Sequence, residues 1–598
     1  MYGNAGKILR VNLTKSKVNV ETLKEGFVRE YIGGNGFATK ILCDELSPET
    51  PPLSPGNKIV FAVGPLSGTR IPMCSRYVVV AKSPLTNIWG EGDAGGFWGT
   101  ELKWAGFDAI VVEGSSEKPV YLWISNGKAE ICDAKDLWGM DSYETEKALR
   151  NELGSKVKVA CIGQAGENLV KIASIMNDGG RTAAHSGLGA VMGSKKLKAI
   201  ATKGDIDVEV FNEEEVKELT KQMLKELLAH PLIQYLSRWG VAGDSLESNL
   251  LRQNLPLKNW SQVNWSLESA QLMGSRRMEE KFSVTRKACY GCPIGCAKIV
   301  KVESGPFAMQ EQGRGPEYET LAALGSLCLN DDIDAVCKAN DLCNRYGLDT
   351  IATGTLIAFI MECLEKEILS KQDIGTTLEW GNGEAVVELV RMIGTRKGIG
   401  NTLAEGVSTA AVTIGRGASE FAMHVKGSPI PMHDPRIDPV RALNYATVSV
   451  GANHGKLVPG KNESDDLTPS QIALRTVSQQ TWSEVVDCLV MCRFAFFFGG
   501  VVLSREFYVP KLLSAVTGQP FTEQKLFELG NRLFDMKQFF NTKQGVGREH
   551  DRLPTRFTKI PRVLGEEKYN VDLTPSLAEY YKIRRWSEEG VPSSQGKN

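Results

Sequence analysis

The chain reads as an α+β multidomain protein, with a β-rich N-terminal domain followed by two mainly α-helical domains. Three observations predict this class. At 598 residues the chain is far too long for one hydrophobic core. Its first 205 or so residues read as short strands separated by turns. Beyond Phe211 the apolar period changes from that of strands to that of helices.

The strands are read from NKIVFAVG, SRYVVVAKS, FDAIVVEG, KPVYLWISNG and KVKVACIGQAG, each rich in Val, Ile or aromatic residues and bounded by Gly, Pro, Ser or Asn. The helical part opens at Phe211-Asn-Glu-Glu-Glu-Val216, where Asn212 is placed to cap and Glu215 follows three residues later. VKELTKQMLKELLAH, DAVCKANDLCNRYG, TGTLIAFIMECLEKEI and TEQKLFELGNRLFDMKQFF then carry the helical pattern. The expected division is 1–209, 210–425 and 426–598, the second boundary falling just before the Gly/Pro-rich KGSPIPMHDP.

Composition narrows the function classes. Hydrophobic residues at 42% and charged residues at 24% are ordinary for a folded globular protein. Lys plus Arg number 70 against 71 Asp plus Glu, so no overall field attracts a polyanion and no nucleic-acid partner is expected. The longest strongly apolar run, Phe494 to Leu503, is about half of the roughly 20 residues a spanning helix needs, so no membrane span is expected. The N-terminus MYGNAGKILRVNLTKSK carries charge where a signal peptide needs an apolar stretch, which makes the cytoplasm the expected location. There the 13 cysteines, an odd number, are expected as thiols, either in the core or as metal ligands. With only six histidines, each one in a polar, glycine-rich context becomes informative.

The strongest motif is ACYGCPIGCA, which places Cys289, Cys292 and Cys296 within eight residues. Zinc and an iron–sulfur cluster both suit this spacing, and both want four ligands. A zinc site would close on a nearby Cys or His, yet the next is Cys328, 32 positions on (328 − 296) in an apolar segment. Clusters commonly take their last thiolate from a distant segment, so the spacing favours [4Fe–4S] over zinc or free thiols. Cys488 and Cys492 are the remote candidates.

Other motifs stay open at this level. Gly33-Gly-Asn-Gly-Phe-Ala-Thr39 lacks the third glycine and the βαβ context of a dinucleotide loop, so it reads as a tight turn. In Arg181 to Lys196, glycines 187, 189 and 193 would let backbone approach a ligand, with Arg181, Lys195 and Lys196 offering charge to phosphate; a solvated Gly-rich loop is the equal alternative. Pro316-Glu-Tyr-Glu319 offers acid/base groups if buried, against a solvated turn. His454 and Lys456 sit in a loop of functional type, and His433 in PMHDPR has the same ambiguity with weaker neighbours. Asn344-Arg-Tyr-Gly-Leu-Asp-Thr350 is faintly echoed by Asp487-Cys-Leu-Val-Met-Cys-Arg493.

These pieces, together with LRVNLT, GPLSGT, GGFWGTELKWAGFDAIVVEG and RTAAHSGLGAVMGSKKLKAI, occur in an order that resembles the tungsten-containing aldehyde ferredoxin oxidoreductase family over nearly the whole chain. The echo matches that family's two pterin motifs. The resemblance implies two β-sheets with helices in the N-terminal domain and a cofactor buried between the domains. The cofactor it implies is tungsten, or less often molybdenum, held by the dithiolenes of two pterins, with Mg2+ bridging the pterin phosphates and one [4Fe–4S] cluster close by. No side chain would ligate the tungsten.

Under the resemblance Cys289, Cys292, Cys296 and Cys492 bind the cluster, the fourth thiol arriving 196 residues later (492 − 296). Cys488 falls on a variable position and could compete. Arg76 matches the arginine between cluster and pterin, Asp93 and Gly95 the first phosphate loop, and Arg181 and Thr182 the second. Asn344, Leu348 and Asp349 would serve one pterin; Asp487, Cys488 and Met491, with Lys456, the other. Glu319 and His454 match the acid/base pair, with Tyr318 beside the first. Four departures concern the cofactor's contacts: Asn344 for Asp, Val490-Met491 for Gly-Leu, His185-Ser186 for Arg-Gly, and Asp93 for Asn. No E-x-x-H of the kind some relatives use for a metal at the subunit interface is found, and a homo- or hetero-oligomer remains compatible.

The expected activity is oxidation of an aldehyde, with water, to a carboxylic acid, the cluster passing electrons to ferredoxin or a small iron–sulfur subunit; carboxylic acid reduction is the reverse. One alternative is a tungsten subunit resembling class II benzoyl-CoA reductases. Another, of a different class, is a non-catalytic iron–sulfur relay that has lost its pterin. Retention of the Glu319, His454 and DCLVMC contexts favours the aldehyde branch.

Overall fold

In the computed structural model, which describes residues 1–458, 467–496, 503–564 and 567–593, two six-stranded sheets form the N-terminal region. The first contains β1 (Lys7–Asn12), β2 (Lys17–Thr22), β3 (Ile59–Ala62), β4 (Tyr77–Lys82), β5 (Trp89–Ala94) and β6 (Ala109–Glu113), in the order β2-β1-β6-β3-β4-β5. The second contains β7 (Val120–Ser125), β8 (Lys128–Asp133), β9 (Lys158–Cys161), β10 (Ile175–Asn177), β11 (Arg181–Ala183) and β12 (Leu197–Lys203), in the order β11-β10-β9-β12-β7-β8. Pairing is antiparallel except between β1 and β6 and between β7 and β12. The rest of the described chain is mainly helical, as its periodicity predicts.

Side chains alternate along β3 and β4, and both faces are covered. Ile59, Phe61, Tyr77 and Val79 share a core with the second sheet. Val60, Ala62, Val78 and Val80 point the other way, into a core with the helices Glu213–Ala229, Pro469–Cys488, Arg505–Thr517 and Glu523–Thr542. Burial on both faces explains why these strands read as continuous apolar runs. It also brings the C-terminal helices onto the N-terminal sheet, so that Cys492 comes within hydrogen-bond reach of Met73.

Asn212 caps the helix Glu213–Ala229 by accepting from the Glu215 N–H. The expectation of a tight turn at Gly33–Thr39 is corrected: Gly34–Glu45 is a helix whose glycines form its first turn. They are there for close packing. A Cβ on Gly36 would collide with the Tyr31 carbonyl oxygen and stand 3.1 Å from Cys488 Sγ, and one on Gly34 would stand 2.5 Å from the Asp487 carbonyl oxygen. Gly36→Ala is expected to destabilise the fold by about 1–3 kcal/mol, the usual cost of overpacking, read as a lower denaturant midpoint.

The faint echo has a backbone counterpart. The helix Ile333–Tyr346 ends at Gly347 with φ 73°, and the helix Pro469–Cys488 is followed by Val490 with φ 49°. Each left-handed residue stands three positions after Asn344 or Asp487. A β-branched residue there is strained, yet Val490 keeps the turn that delivers Cys492. The run Phe494 to Leu503 lies largely outside the described residues. Among the described residues no helix is long and apolar enough to cross a membrane.

Candidate active site

One cavity collects residues from every part of the chain. The β4–β5 hairpin contributes Arg76, Glu91, Asp93 and Gly95, and β11 contributes Arg181 and Thr182. Glu317 and Glu319 come from the start of the helix Tyr318–Leu324, and Asn344, Leu348 and Asp349 from the junction before the helix Thr350–Glu365. Asp349 caps that helix by accepting from the Ala352 N–H. His454 and Lys456 lie on a short 3-10 turn, and Cys492 and Arg493 follow the Val490 turn.

The three clustered thiols are carried by a hairpin. Strands Thr285–Lys287 and Ala297–Val300 pair with Lys287 opposite Ala297, leaving 288–296 as the loop. The Tyr290 N–H donates to the Gly96 carbonyl at 3.1 Å, tying that loop to the end of β5. A Cβ on Gly95 would stand 3.0 Å from Cys289 Sγ and 3.7 Å from Arg76 Nη1, so only glycine leaves room for thiol and guanidinium together. The Cys492 N–H donates to the Met73 carbonyl at 2.8 Å, and all four thiols line the cavity. Burial pushes Cys292 and Cys492 up to about 11 and Cys296 up to about 12.

A largely buried charge network runs from the cavity wall into the core behind it. Asp93 pairs with Arg76 and lies 3.8 Å from Arg493, which meets Asp487 at 2.6 Å. Lys456 bridges Asp487, at 2.7 Å, and Glu91. Lys537 bridges Glu91 and Glu484, each at 2.6 Å. Four carboxylates therefore face four cations, which is how charges are kept inside a protein. Burial alone would raise Glu91, but Lys456 and Lys537 bring it down to about 2.

At the other end, Glu319 stands between imidazoles. Its Oε2 accepts from the Met432 N–H at 2.8 Å. Its Oε1 lies 3.3 Å from His433 Nε2 and 3.7 Å from His454 Nε2. Burial pushes Glu319 up to about 7, and burial with His185 and Arg441 nearby pushes His454 down to about 3. A carboxyl near neutrality beside a neutral imidazole can exchange protons at working pH.

Several sequence-derived residues sit behind the cavity. Tyr318 packs its ring on His433, centroids 4.7 Å apart, and its hydroxyl donates to the Met432 carbonyl, so it braces the Glu319 loop. Asp487 acts through Lys456 and Arg493, while the buried Cys488 thiol faces Gly36 and Met491 is enclosed in the core. The reading of Lys195 and Lys196 as phosphate ligands is corrected. The Lys195 ammonium is buried on backbone carbonyls, including Gly114 at 3.1 Å, and Lys196 bonds the Glu117 carbonyl at 2.5 Å. Glycines 187, 189 and 193 pack against backbone at Lys171, Ser174 and Gly166 instead of lining a ligand loop.

Sequence reasoning missed Glu91 and Arg493, took Glu317 only as one of the acid/base groups of Pro316–Glu319, gave His433 little weight, and read His185 only as a departure from a pattern. Glu91 and Asp93 had one available signal: two acids two apart in the apolar-poor WGEGDA place both carboxylates on one face of a strand. His185 lies 3.6 Å from Asp349 with its ring 6.4 Å from that of His454.

Four thiols that share a cavity with a carboxylate–imidazole pair suit an oxidoreductase, and the relatives of this chain are of that class. The chain belongs to the aldehyde ferredoxin oxidoreductase family: residues 8–204 match the family's N-terminal domain and residues 218–596 its domains 2 and 3. It is 37% identical to a tungsten-containing aldehyde ferredoxin oxidoreductase of Pyrococcus furiosus, covering 99% of this chain and 97% of that one, and equally to its namesake from Thermococcus kodakarensis. An aliphatic sulfonate oxidoreductase WOR-like subunit of Pyrococcus furiosus is 30% identical, covering 100% of this chain and 96% of that one. Among solved structures, the active site complex BamBC of benzoyl coenzyme A reductase, with 1,5-dienoyl-CoA, superposes with a TM-score of 0.87 at 27% identity, covering 99% of this chain and 96% of that one.

Proposed function

We propose that this protein oxidises aldehydes, with water, to carboxylic acids, and runs in reverse as an acid reductase. One observation carries the reading: Glu319, raised by burial to about 7 beside His454, opens on the same cavity as the four thiols and Arg76. Family membership implies a tungsten–pterin cofactor. The residues suit one: Arg181 Nη2, Thr182 Oγ1, Asn344 Nδ2 and Arg493 Nε are buried polar atoms without partners, all in cavity-lining residues. Donors so placed fit phosphates and pterin edges.

In this reading Arg181, Thr182, Asn344, Asp349 and Lys456 would hold two pterins, Mg2+ would offset the charge of their phosphates, and Arg76 would serve both pterin and cluster. Asp93 and Gly95 would shape the first phosphate loop, and Leu348 would offer an apolar surface to one pterin. Asp487, Cys488 and Met491 support the second motif from behind. The bound cofactor supplies a two-electron acceptor for the aldehyde carbon. Glu319 takes the proton released as water adds to the carbonyl, and His454, neutral and with Nδ1 unpartnered, orients water or substrate. The Met432 N–H fixes Glu319 Oε2, so that Oε1 is the oxygen facing the two imidazoles.

Cys289, Cys292, Cys296 and Cys492 are proposed to hold one [4Fe–4S] cluster. Among the described residues no three metal-ligating side chains converge on a point that could hold a single ion. A cluster, with one thiolate per iron, suits thiols spread around a cavity better than zinc does. Electrons would leave to ferredoxin or a small iron–sulfur subunit, in the cytoplasm. Cys492→Ala is expected to remove the cluster's visible absorption and most of the iron, whereas Cys488→Ala keeps both.

The test of the function is tungsten, molybdenum and iron content with aldehyde-dependent viologen reduction on one anaerobic sample. About one tungsten and four irons per chain, with turnover, support the proposal. Iron without a group-six metal and without turnover sinks it in favour of a relay. CoA-thioester turnover without aldehyde activity sinks it in favour of the benzoyl-CoA-reductase-like branch.

A further inference from the structure

The thiol loop 288–296 reaches the surface. Gly291 within it is exposed, and Cys289, Tyr290, Cys292 and Pro293 are partly exposed. Aromatic rings brace it: the Tyr290 ring stands edge-on to those of Trp104 and Phe97, centroids 5.0 and 6.3 Å away, and all three rings are partly exposed.

Cations surround this aromatic centre. Arg286 and Lys287, both exposed, end the strand that leads into the loop. The Lys158 ammonium lies over the Phe97 ring, 4.8 Å from its centroid. Arg70 is exposed and precedes Ile71, whose carbonyl oxygen is 4.0 Å from where a Cβ on Gly291 would stand. Among the described residues none of these four cations is bonded to a carboxylate: Arg286 donates to Ser237 Oγ and Lys287 to the Asp178 carbonyl at 2.9 Å.

The acids nearby are engaged. A groove beside the loop, lined by Arg238, Arg286, Pro293 and Lys298, has Glu279 as its one carboxylate, and both Nη atoms of Arg238 bond it. Glu101 accepts from the Gly204 N–H at 3.0 Å, Glu146 from the Gly179 N–H at 2.8 Å, and Asp178 from the Phe97 and Trp98 N–H at 2.7 and 3.2 Å. The exposed Asp205 and Asp207 flank Ile206, which bonds the Trp104 carbonyl, and set the acidic limit of the face.

We propose that this face, with Tyr290 at its centre and Arg70, Lys158, Arg286 and Lys287 around it, docks an acidic iron–sulfur carrier protein that takes electrons from the cluster. The proposal rests on the reading of Cys289, Cys292, Cys296 and Cys492 as cluster ligands. Electron transfer slows steeply with distance, so a carrier has to meet the protein where the ligand loop comes to the surface. Aromatic side chains inside a polar rim are the anatomy of a docking site. Cations left without carboxylates steer an acidic partner and fix its register. The molecule as a whole is close to neutral, at −1, so the attraction is local to this face. A small, partly exposed aromatic centre suits a carrier that docks and leaves. Oxidation of one aldehyde with water to the acid releases two electrons and two protons, so two carriers, each gaining one electron, are reduced in succession.

The experiment compares the wild-type holoenzyme with Arg70→Glu/Arg286→Glu and with Lys17→Glu. Lys17 is exposed on β2, at the opposite edge of the first sheet from β5, to which the thiol loop is tied. The electron acceptors are an acidic ferredoxin and benzyl viologen, which is small enough to need no docking face. At low ionic strength the double variant is expected to raise KM for the ferredoxin about tenfold, the low end of electrostatic steering, and to flatten its salt dependence. Its iron content and viologen rate stay at the wild-type level, and Lys17→Glu changes none of these.

An unmoved ferredoxin KM in the iron-loaded double variant overturns the proposal. So does an equal rise in Lys17→Glu, or a loss shared equally by both acceptors. The same proteins, reduced with dithionite, desalted and mixed with ferredoxin in a stopped-flow instrument, give the docking readout without aldehyde turnover. A wild type without iron sinks the cluster reading and the docking face with it. A wild type that passes electrons to ferredoxin but oxidises no aldehyde sinks the functional reading and leaves the docking face standing.

Discussion

Glu319→Gln is expected to lower kcat for aldehyde-dependent viologen reduction by about 10²–10⁴-fold, the usual worth of a general base, with iron content unchanged. Gln keeps the shape and accepts the Met432 N–H, so the loop stays in place while the exchangeable proton is lost. In the wild type, activity is expected to rise with pH through about 7, where burial sets the Glu319 carboxyl, as the carboxylate becomes available to take a proton. His454, held down to about 3, contributes no limb in that range.

The same burial has a stability consequence of definite sign. Below about 4.5, the ordinary value, Glu319 is protonated folded and unfolded alike. Between 4.5 and about 7 the unfolded chain releases a proton that the folded protein retains, so stability falls as pH rises. Above about 7 the wild type carries the full penalty, roughly 3 kcal/mol at about 1.4 kcal/mol per tenfold in proton affinity. Glu319→Gln is therefore expected to be inactive and more stable than the wild type at about pH 8, with the difference vanishing near pH 4, as read by denaturant unfolding.

Lys456→Met is expected to destabilise the protein by about 3–5 kcal/mol, because it leaves the buried network with four carboxylates and three cations. Its partners Glu91 and Asp487 are both buried and cannot gain water in exchange. The double variant Lys456→Met/Asp487→Leu restores the charge balance and is expected to recover much of the loss. Denaturant midpoints of the three proteins measure the coupling. Additive losses would mean that Asp487 and Lys456 act independently and that Arg493 alone satisfies Asp487.

Local chemistry made several features legible. The CYGCPIGC spacing points to a metal site, a cluster before zinc, because three thiols within eight residues have few other uses in a chain of ordinary composition. The strands of β3, β4, β6, β7 and β9 could be read because burial on both faces leaves uninterrupted apolar runs. β5 was invisible, since WGEGDA has neither apolar alternation nor β-branched residues, and its Glu91 and Asp93 are fed into a charge network closed by residues hundreds of positions away. The glycines at 33–36 and 187–193 looked alike in sequence to ligand loops, because a glycine admitting a neighbouring backbone and one admitting a phosphate leave the same trace.

The sequence by itself determined the family and the residue types available to a site: thiols at the spacing expected of a cluster, a glutamate and a histidine able to exchange protons, and arginines and a lysine able to meet phosphates. It also determined the succession of a β-rich and a mainly helical region, since period and capping are local properties. Only the tertiary structure decided which of these groups meet. Cys492 rather than Cys488 faces the cavity because a left-handed Val490 turns the chain between them, and Cys488 is taken up by packing on the helix Gly34–Glu45. Glu319 stands between His433 and His454 because segments far apart in the chain meet at the cavity, a long-range arrangement to which no local pattern is sensitive.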